Sequence, residues 1–436
     1  MSVVLVAALL AAGVVWLIRV PVGLVPLAVP QLGFVGWGLA DLSTRPSSAN
    51  HLPYYLMALV LLVLGYSLAG PRGRSENSSP AAPLPKSAVL LVVLIAGALT
   101  TYHFAVGGIP LLSNQIERAR FDFANSGLFG LPGRMYLFGS IFAWMLATVN
   151  GHVRGVRLLT DWTWILATTF LVVPALLSGF KGRLAYVAVV LIFGLVAVGA
   201  RRITMVGLGR RYWWVAAILF LNFVAVAGLY ATYAAEPRSG LTLLQDRLTV
   251  IAAEPAKTVL DWADAGHRPM MANDFDHLTR KYAGLDGGSG YTLEREVSTN
   301  LIGISPRSSG FAPPVTVGAI AELRLTFGSI LGLLSILAVG VVLRRLEGLG
   351  NKSVLTDSAR LFIALGVYTF AVRGGFAYYV LNFAAMTVLM AALTVACTAC
   401  LRRSRSTEGA RERPRTQRTA GSTGAVGAIG KEDPVQ

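Results

Sequence analysis

Residues 162–200 read WTWILATTFLVVPALLSGFKGRLAYVAVVLIFGLVAVGA. Two apolar runs flank the turn SGFKGR (178–183), and the only charges in the stretch are Lys181 and Arg183 of that turn. A hydrocarbon core takes roughly 20 residues of helix at about 1.5 Å rise each. Each run is therefore about long enough to cross a bilayer, and the turn is too short to do more than reverse direction at one face. The segment reads as a helical hairpin with two cations at its tip.

Nine further runs of this kind lie near 3–18, 21–40, 53–70, 87–106, 134–150, 212–233, 317–343, 361–376 and 377–400. With the hairpin at 162–178 and 185–200 they make about eleven spans. Over 436 residues the chain is 54% hydrophobic and only 14% charged, with a mean hydropathy of +0.61. Soluble domains do not combine these values. The run at 21–40 contains Pro21, Pro26 and Pro30, which a spanning helix tolerates when its neighbours satisfy the freed carbonyls. The first run lacks a basic segment before it and carries Arg19 after it, the reverse of a cleavable leader. It is expected to stay on the chain with its N-terminus outside.

The net charge of +16 would suggest nucleic acid in a soluble protein. Here the basic residues gather in short linkers between apolar runs, which makes them topology signals that exclude nucleic acid as the partner. With eleven spans and the N-terminus outside, the inner linkers and tail hold 22 Lys and Arg against 8 Asp and Glu, and the outer ones 16 against 14. That asymmetry supports an outside N-terminus and an inside C-terminus. Residues 1–400 then form one integral membrane domain. The tail, 401–436, is rich in Arg, Gly, Ser and Thr; it is expected to be a disordered basic anchor on the cytoplasmic side.

One polar segment is large. Residues 234–316 hold 8 basic and 10 acidic residues interleaved with Trp262, Phe275, Tyr282 and Tyr291. Leu244, Leu248, Ile251 and Leu260 give 241–265 a helical pattern, whereas GLDGGSG (284–290) reads as a flexible loop. Short helices lying over a membrane-embedded cavity are expected here. Cys397 and Cys400 have no second pair or histidine cluster to complete a metal site and read as ordinary helix residues. GNKS (350–353) lacks the glycine spacing of a phosphate-binding loop.

Candidate chemistry sits where positive-inside bias should have removed charge. Lys181 and Arg183 occupy the hairpin tip, where a guanidinium suits phosphate or diphosphate; interface anchoring is the competing reading. Arg118 and Arg120 follow GGIPLLSNQIERARF, with Glu117 and Asp122 able to neutralise them in an interfacial turn. Glu322 and Arg324 open the ninth span, as a buried ion pair or as a carboxylate orienting a guanidinium or a sugar hydroxyl. Arg373 lies at an outer helix end. Asp274 and Asp276 form a DFD triplet beside His277, similar to acidic pairs that hold a divalent metal in nucleotide-sugar transferases. A solvated loop is the competing reading, and His267 and His277 are candidate bases.

Three stretches in order, GGIPLLSNQIERARF (107–121), LLSGFKGRLAYVAVVLIFG (176–194) and APPVTVGAIAELRLTFGSILGLL (312–334), resemble the O-antigen polymerase family, the oligosaccharide repeat unit polymerases of the Wzy type. The resemblance covers most of 85–345. It departs from the family at the arginine turn, where Lys181 and Arg183 both stand, and at Ala321, where a glycine is common. It implies an inverting glycosyltransferase in the bacterial plasma membrane that joins polyprenyl-diphosphate-linked repeats on the outer face. A flippase and a chain-length regulator are then its neighbours, and no cofactor or metal is expected. On that reading Arg183, then Lys181 and Arg120, stabilise the departing diphosphate. Glu322, His277 or Asp274 accepts the proton, while Arg118, Arg324, Arg373, Asp274 and Asp276 bind substrate. A ligase differing only in its acceptor, and a transporter of lipid-linked glycans, are the alternatives.

Overall fold

The computed structural model describes residues 16, 19–45, 48–69, 81–113, 119, 123, 131–199, 204, 206, 207, 210, 213, 249–267, 293–302, 315–347 and 353–412. Apart from one isolated bridge between Pro21 and Thr204, the regular elements among them are helices. They are α1 (Leu24–Leu42), α2 (Leu52–Leu68), α3 (Lys86–Gly107), α4 (Ser140–Val153), α5 (Trp162–Leu177), α6 (Lys181–Val198), α7 (Val250–Asp264), α8 (Leu293–Ile302), α9 (Ala319–Leu346), α10 (Val354–Arg373) and α11 (Phe376–Glu412).

Five stretches are long and apolar enough to cross a membrane: α1, Lys86–Leu112, α9, α10 and Phe376–Arg403. Leu52–Leu68, Trp162–Leu177 and Gly182–Val198 are shorter apolar helices. Their packing has the sign expected in lipid. Thr100, Thr148, Asn150, Ser358, Thr369 and Thr394 are buried, while Leu68, Ile330 and Val388 are exposed. Buried hydroxyls bond the carbonyl four residues back, as Thr100 does to Ala96 at 2.8 Å. Buried indoles bond hydroxyls on the neighbouring helix, Trp144 to Thr168 and Trp164 to Thr148, each at 3.0 Å.

α1 forms with Pro30 inside it, so the prolines do not end the run at 21–40. The runs at 3–18 and 212–233 lie outside the described residues except for Trp16 and Trp213. Of the helical pattern expected at 241–265, residues 250–264 form α7, while 241–248 lie outside the described residues, and α8 is a second short helix of the large loop. The segment 284–290 lies outside the described residues. α11 does not stop where the tail was expected to begin but continues past Leu401 to Glu412. Cys397 is buried in it and Cys400 is exposed.

Two features position the functional region. α2 and α9 touch backbone to backbone: a Cβ on Gly65 would fall 2.1 Å from the Leu337 carbonyl oxygen, and one on Gly340 would fall 2.2 Å from that of Leu62. Small residues permit such approach where no aqueous hydrophobic effect drives helices together. α9 is not one straight helix, because it breaks at Gly328 (φ 76°, ψ −177°). Gly332 lies so close to the first half that a Cβ on it would be 3.0 Å from the Leu323 carbonyl oxygen. Nine residues of straight helix would separate those positions by about 13 Å. The piece 319–327 therefore folds back against the rest, carrying Glu322 and Arg324 into the protein.

Candidate functional site

Ser178 to Phe180 form the turn of the hairpin, with Gly179 at φ 67°. α6 then starts with Lys181, whose side chain lies outside the described residues. Arg183 is one step into the helix. Its Nη2 donates to the Tyr136 carbonyl at 2.8 Å, and its guanidinium carbon stands 5.1 Å from the Tyr136 ring centre and 5.7 Å from that of Tyr186. Tyr186 follows Arg183 by three residues and so shares its helix face. Tyr136 belongs to a π-helical turn, Met135–Gly139, that leads into α4. Such turns often mark functional positions because they re-aim a side chain within an otherwise regular helix.

Arg373 is the last residue of α10. The chain then turns through Gly374 (φ 77°) and Gly375 (φ 72°), conformations a side chain would strain, and α11 begins at Phe376. Glu322 fixes this turn. Its carboxylate is buried and accepts hydrogen bonds from the amides of Gly375 at 2.5 Å and Phe376 at 3.0 Å. The Gly318 amide donates to the Arg373 carbonyl at 3.0 Å.

Arg183 and Arg373 come together from helices far apart in sequence. The Tyr186 ring beside Arg183 is tied to α10 by Thr369, whose hydroxyl donates to the Tyr186 hydroxyl at 2.9 Å, and Thr369 precedes Arg373 by one helical turn. At the turn after Arg373 a Cβ on Gly375 would fall 3.0 Å from Glu294 Oε1 of loop helix α8 and 3.6 Å from the Tyr379 ring. Arg373 is exposed at the end of α10. Two buried polar atoms in this region, Arg183 Nε and the Tyr136 hydroxyl, find no hydrogen-bond partner among the described residues. Unpaired buried donors call for water or a ligand.

Arg324 belongs to a different cluster. It bonds Asp264 of α7, lies 3.5 Å from His51 Nδ1 and covers the Tyr54 ring at 4.4 Å. His51 Nε2 is 2.6 Å from Asp261, which also takes Lys257 at 2.6 Å. Burial pushes the Asp261 carboxyl up, but the bonds from His51 and Lys257 outweigh it and hold it below its usual value. Of the two readings of Glu322 and Arg324, the buried ion pair between them is not what forms: each has its own set of bonds. Residues two apart on a helix do not face each other, so Glu322 holds the α10–α11 turn while Arg324 holds the loop helix.

Of the remaining sequence candidates, Arg118, Arg120, Asp274, Asp276 and His277 lie outside the described residues. His267 is within ion-pair distance of Glu296 at 3.7 Å. Among the described residues no group of three or more His, Cys, Asp or Glu is arranged to hold a metal ion. Sequence reasoning missed Tyr136, Tyr186, Tyr379 and Glu294. Tyr186 was the most findable, because it repeats on the Arg183 face. Comparison with protein-family models, with curated proteins and with solved structures gives no match for this chain.

Proposed function

We propose that this chain is a membrane glycosyltransferase that polymerises polyprenyl-diphosphate-linked oligosaccharide repeats at the outer face of the bacterial plasma membrane. The observation that carries the reading is the approach of Arg183 and Arg373 through Tyr186, whose ring lies 5.7 Å from the Arg183 guanidinium and whose hydroxyl takes Thr369, one helical turn before Arg373. Two fixed guanidiniums walled by aromatic rings suit a diphosphate, since a planar fork matches phosphate oxygens and holds its charge at every working pH. Phenol hydroxyls add neutral donors.

In the proposed step an acceptor sugar hydroxyl attacks the anomeric carbon of the donor. The new glycosidic C–O bond forms as the bond from that carbon to the diphosphate oxygen breaks, with inversion. The electron pair leaves on the lipid diphosphate, where Arg183 and Arg373 stabilise growing negative charge more than they stabilise the ground state. The hydroxyl proton passes to a carboxylate or imidazole of the outer loop. Glu294 stands against the Gly375 turn that follows Arg373, and Asp274 and His277 belong to the same loop. The full arrangement, about eleven spans with the N-terminus outside and the C-terminus inside, belongs to this proposal.

Replacing Arg183 or Arg373 with alanine should slow transfer about a hundred- to a thousand-fold, as loss of one oriented donor to a developing charge does. Single repeats should accumulate on the lipid carrier at normal membrane levels of the variant. Lysine at either position should restore part of the rate. Polymer of wild-type length from both alanine variants would overturn the reading.

A further inference from the structure

An apolar cavity of about 460 Å³ opens between α9, α10 and α11. Its walls include Phe327, Val339, Val367 and Phe383, and its few polar groups include Ser335 and the phenol of Tyr379. The Tyr379 ring also packs on the turn that follows Arg373, where a Cβ on Gly375 would meet it at 3.6 Å, so the cavity reaches that turn at the ring. The junction is short: Phe376 belongs to the cavity wall, and the three residues of chain from Arg373 to it span at most about 10 Å. Glu322 holds the turn between them through the Gly375 and Phe376 amides.

We infer that the structure assigns this cavity to the proximal part of an isoprenoid chain whose diphosphate is held by Arg183 and Arg373. The inference rests on the function proposed above and adds the place of the lipid. An occupant must be apolar along the cavity and anionic at its Tyr379 end. One groove takes one chain, and two guanidiniums match two phosphates. A phospholipid brings two acyl chains and a single phosphate, which fits neither count. The groove belongs to three of the elements whose ends surround the head site, to which α6 adds Arg183: α9 carries Glu322, α10 carries Arg373 and α11 carries Tyr379. A chain seated there would fix the leaving diphosphate against the guanidiniums during transfer.

The test uses the full chain in phosphatidylcholine vesicles and a polyprenyl diphosphate that carries a photoreactive group on its second isoprene unit. Labelled peptides are expected to map to 335–342, 363–370 and 376–384. Unlabelled polyprenyl diphosphate should compete, and phosphatidylglycerol should not. Ala338 and Ala384 line the cavity and are exposed, so Ala384→Trp fills it without entering the core. It should cut labelling about tenfold, while Ala385→Trp at the exposed neighbouring position should leave it unchanged. Specific labelling elsewhere, in protein that still polymerises, would overturn the cavity assignment alone, as would equal competition by phosphatidylglycerol. Absence of any competed labelling would overturn both the cavity assignment and the proposed function.

Discussion

Glu322 stood in the sequence as a candidate base, and its surroundings give it another task. Both carboxylate oxygens accept backbone amides, from Gly375 and Phe376, immediately after Arg373. The carboxylate therefore sets where α10 ends and α11 begins, and through that turn it sets the direction of Arg373. Alanine at 322 would leave two amides unpaired, a cost of about 1–3 kcal/mol for each that stays buried. The informative variant is Glu322→Gln, which keeps an acceptor oxygen. Steady-state rates on a lipid-linked donor should fall by less than about a hundredfold with the shape of the pH profile unchanged, since general acid–base groups contribute about 10²–10⁴. Loss of the acidic limb of that profile would restore the role of base and remove that of positioner. Arg324, two residues on, faces away to Asp264 and His51.

α9 holds the bundle at both of its ends. Glu322 near its start receives the amides that open α11, and Glu347, just after its last turn, receives the Leu24 amide that opens α1 at 2.5 Å. Tyr66 also donates to Glu347, and burial pushes this carboxyl up to about 7. Between the two ends Gly328 breaks the helix in a region of backbone space that is essentially reserved for glycine. The space around it is open, with nothing within 4 Å of an added Cβ. Gly328→Ala should therefore lower stability by about 1–3 kcal/mol through backbone strain alone, measured as thermal unfolding of the purified protein in detergent. An unchanged midpoint would show that the helix does not break there. This break was illegible in GAIAELRLTFGSILGLL (318–334), because glycine is common in spanning helices and marks no particular bend. Leu260 of the apolar pattern read for α7 is buried while Ile251 is exposed, so that spacing found the helix but not its buried face, whereas the five long apolar helices were legible from the length of their runs. The convergence of Arg183 with Arg373 was not, since it joins helix ends 190 positions apart and leaves no local pattern.

Across the whole molecule the ion pairs of the described residues fall into two groups that follow the proposed alternation of spans. Lys86 and Arg154 with Asp161, Arg344 with Glu347, and Arg360 with Asp357 join residues assigned to the cytoplasmic side. Arg45 with Glu254, His51 and Lys257 with Asp261, and Arg324 with Asp264 join residues assigned to the outer side. The second group ties α7 to the start of α2 and to the folded-back start of α9. An even change in the number of spans between two linkers would preserve these pairings, but a reversed insertion would exchange the sides of both groups together. That difference is measurable with cysteines in a chain carrying Cys397→Ala and Cys400→Ala. Ala265→Cys at the exposed end of α7 should react with a membrane-impermeant maleimide in cells whose plasma membrane is intact. Leu159→Cys, exposed in the linker that holds Arg157, should react only after permeabilisation. The opposite pattern would move Arg183 and Arg373 to the cytoplasmic face, where nucleotide sugars are at hand and a donor already joined to a lipid diphosphate would no longer be required.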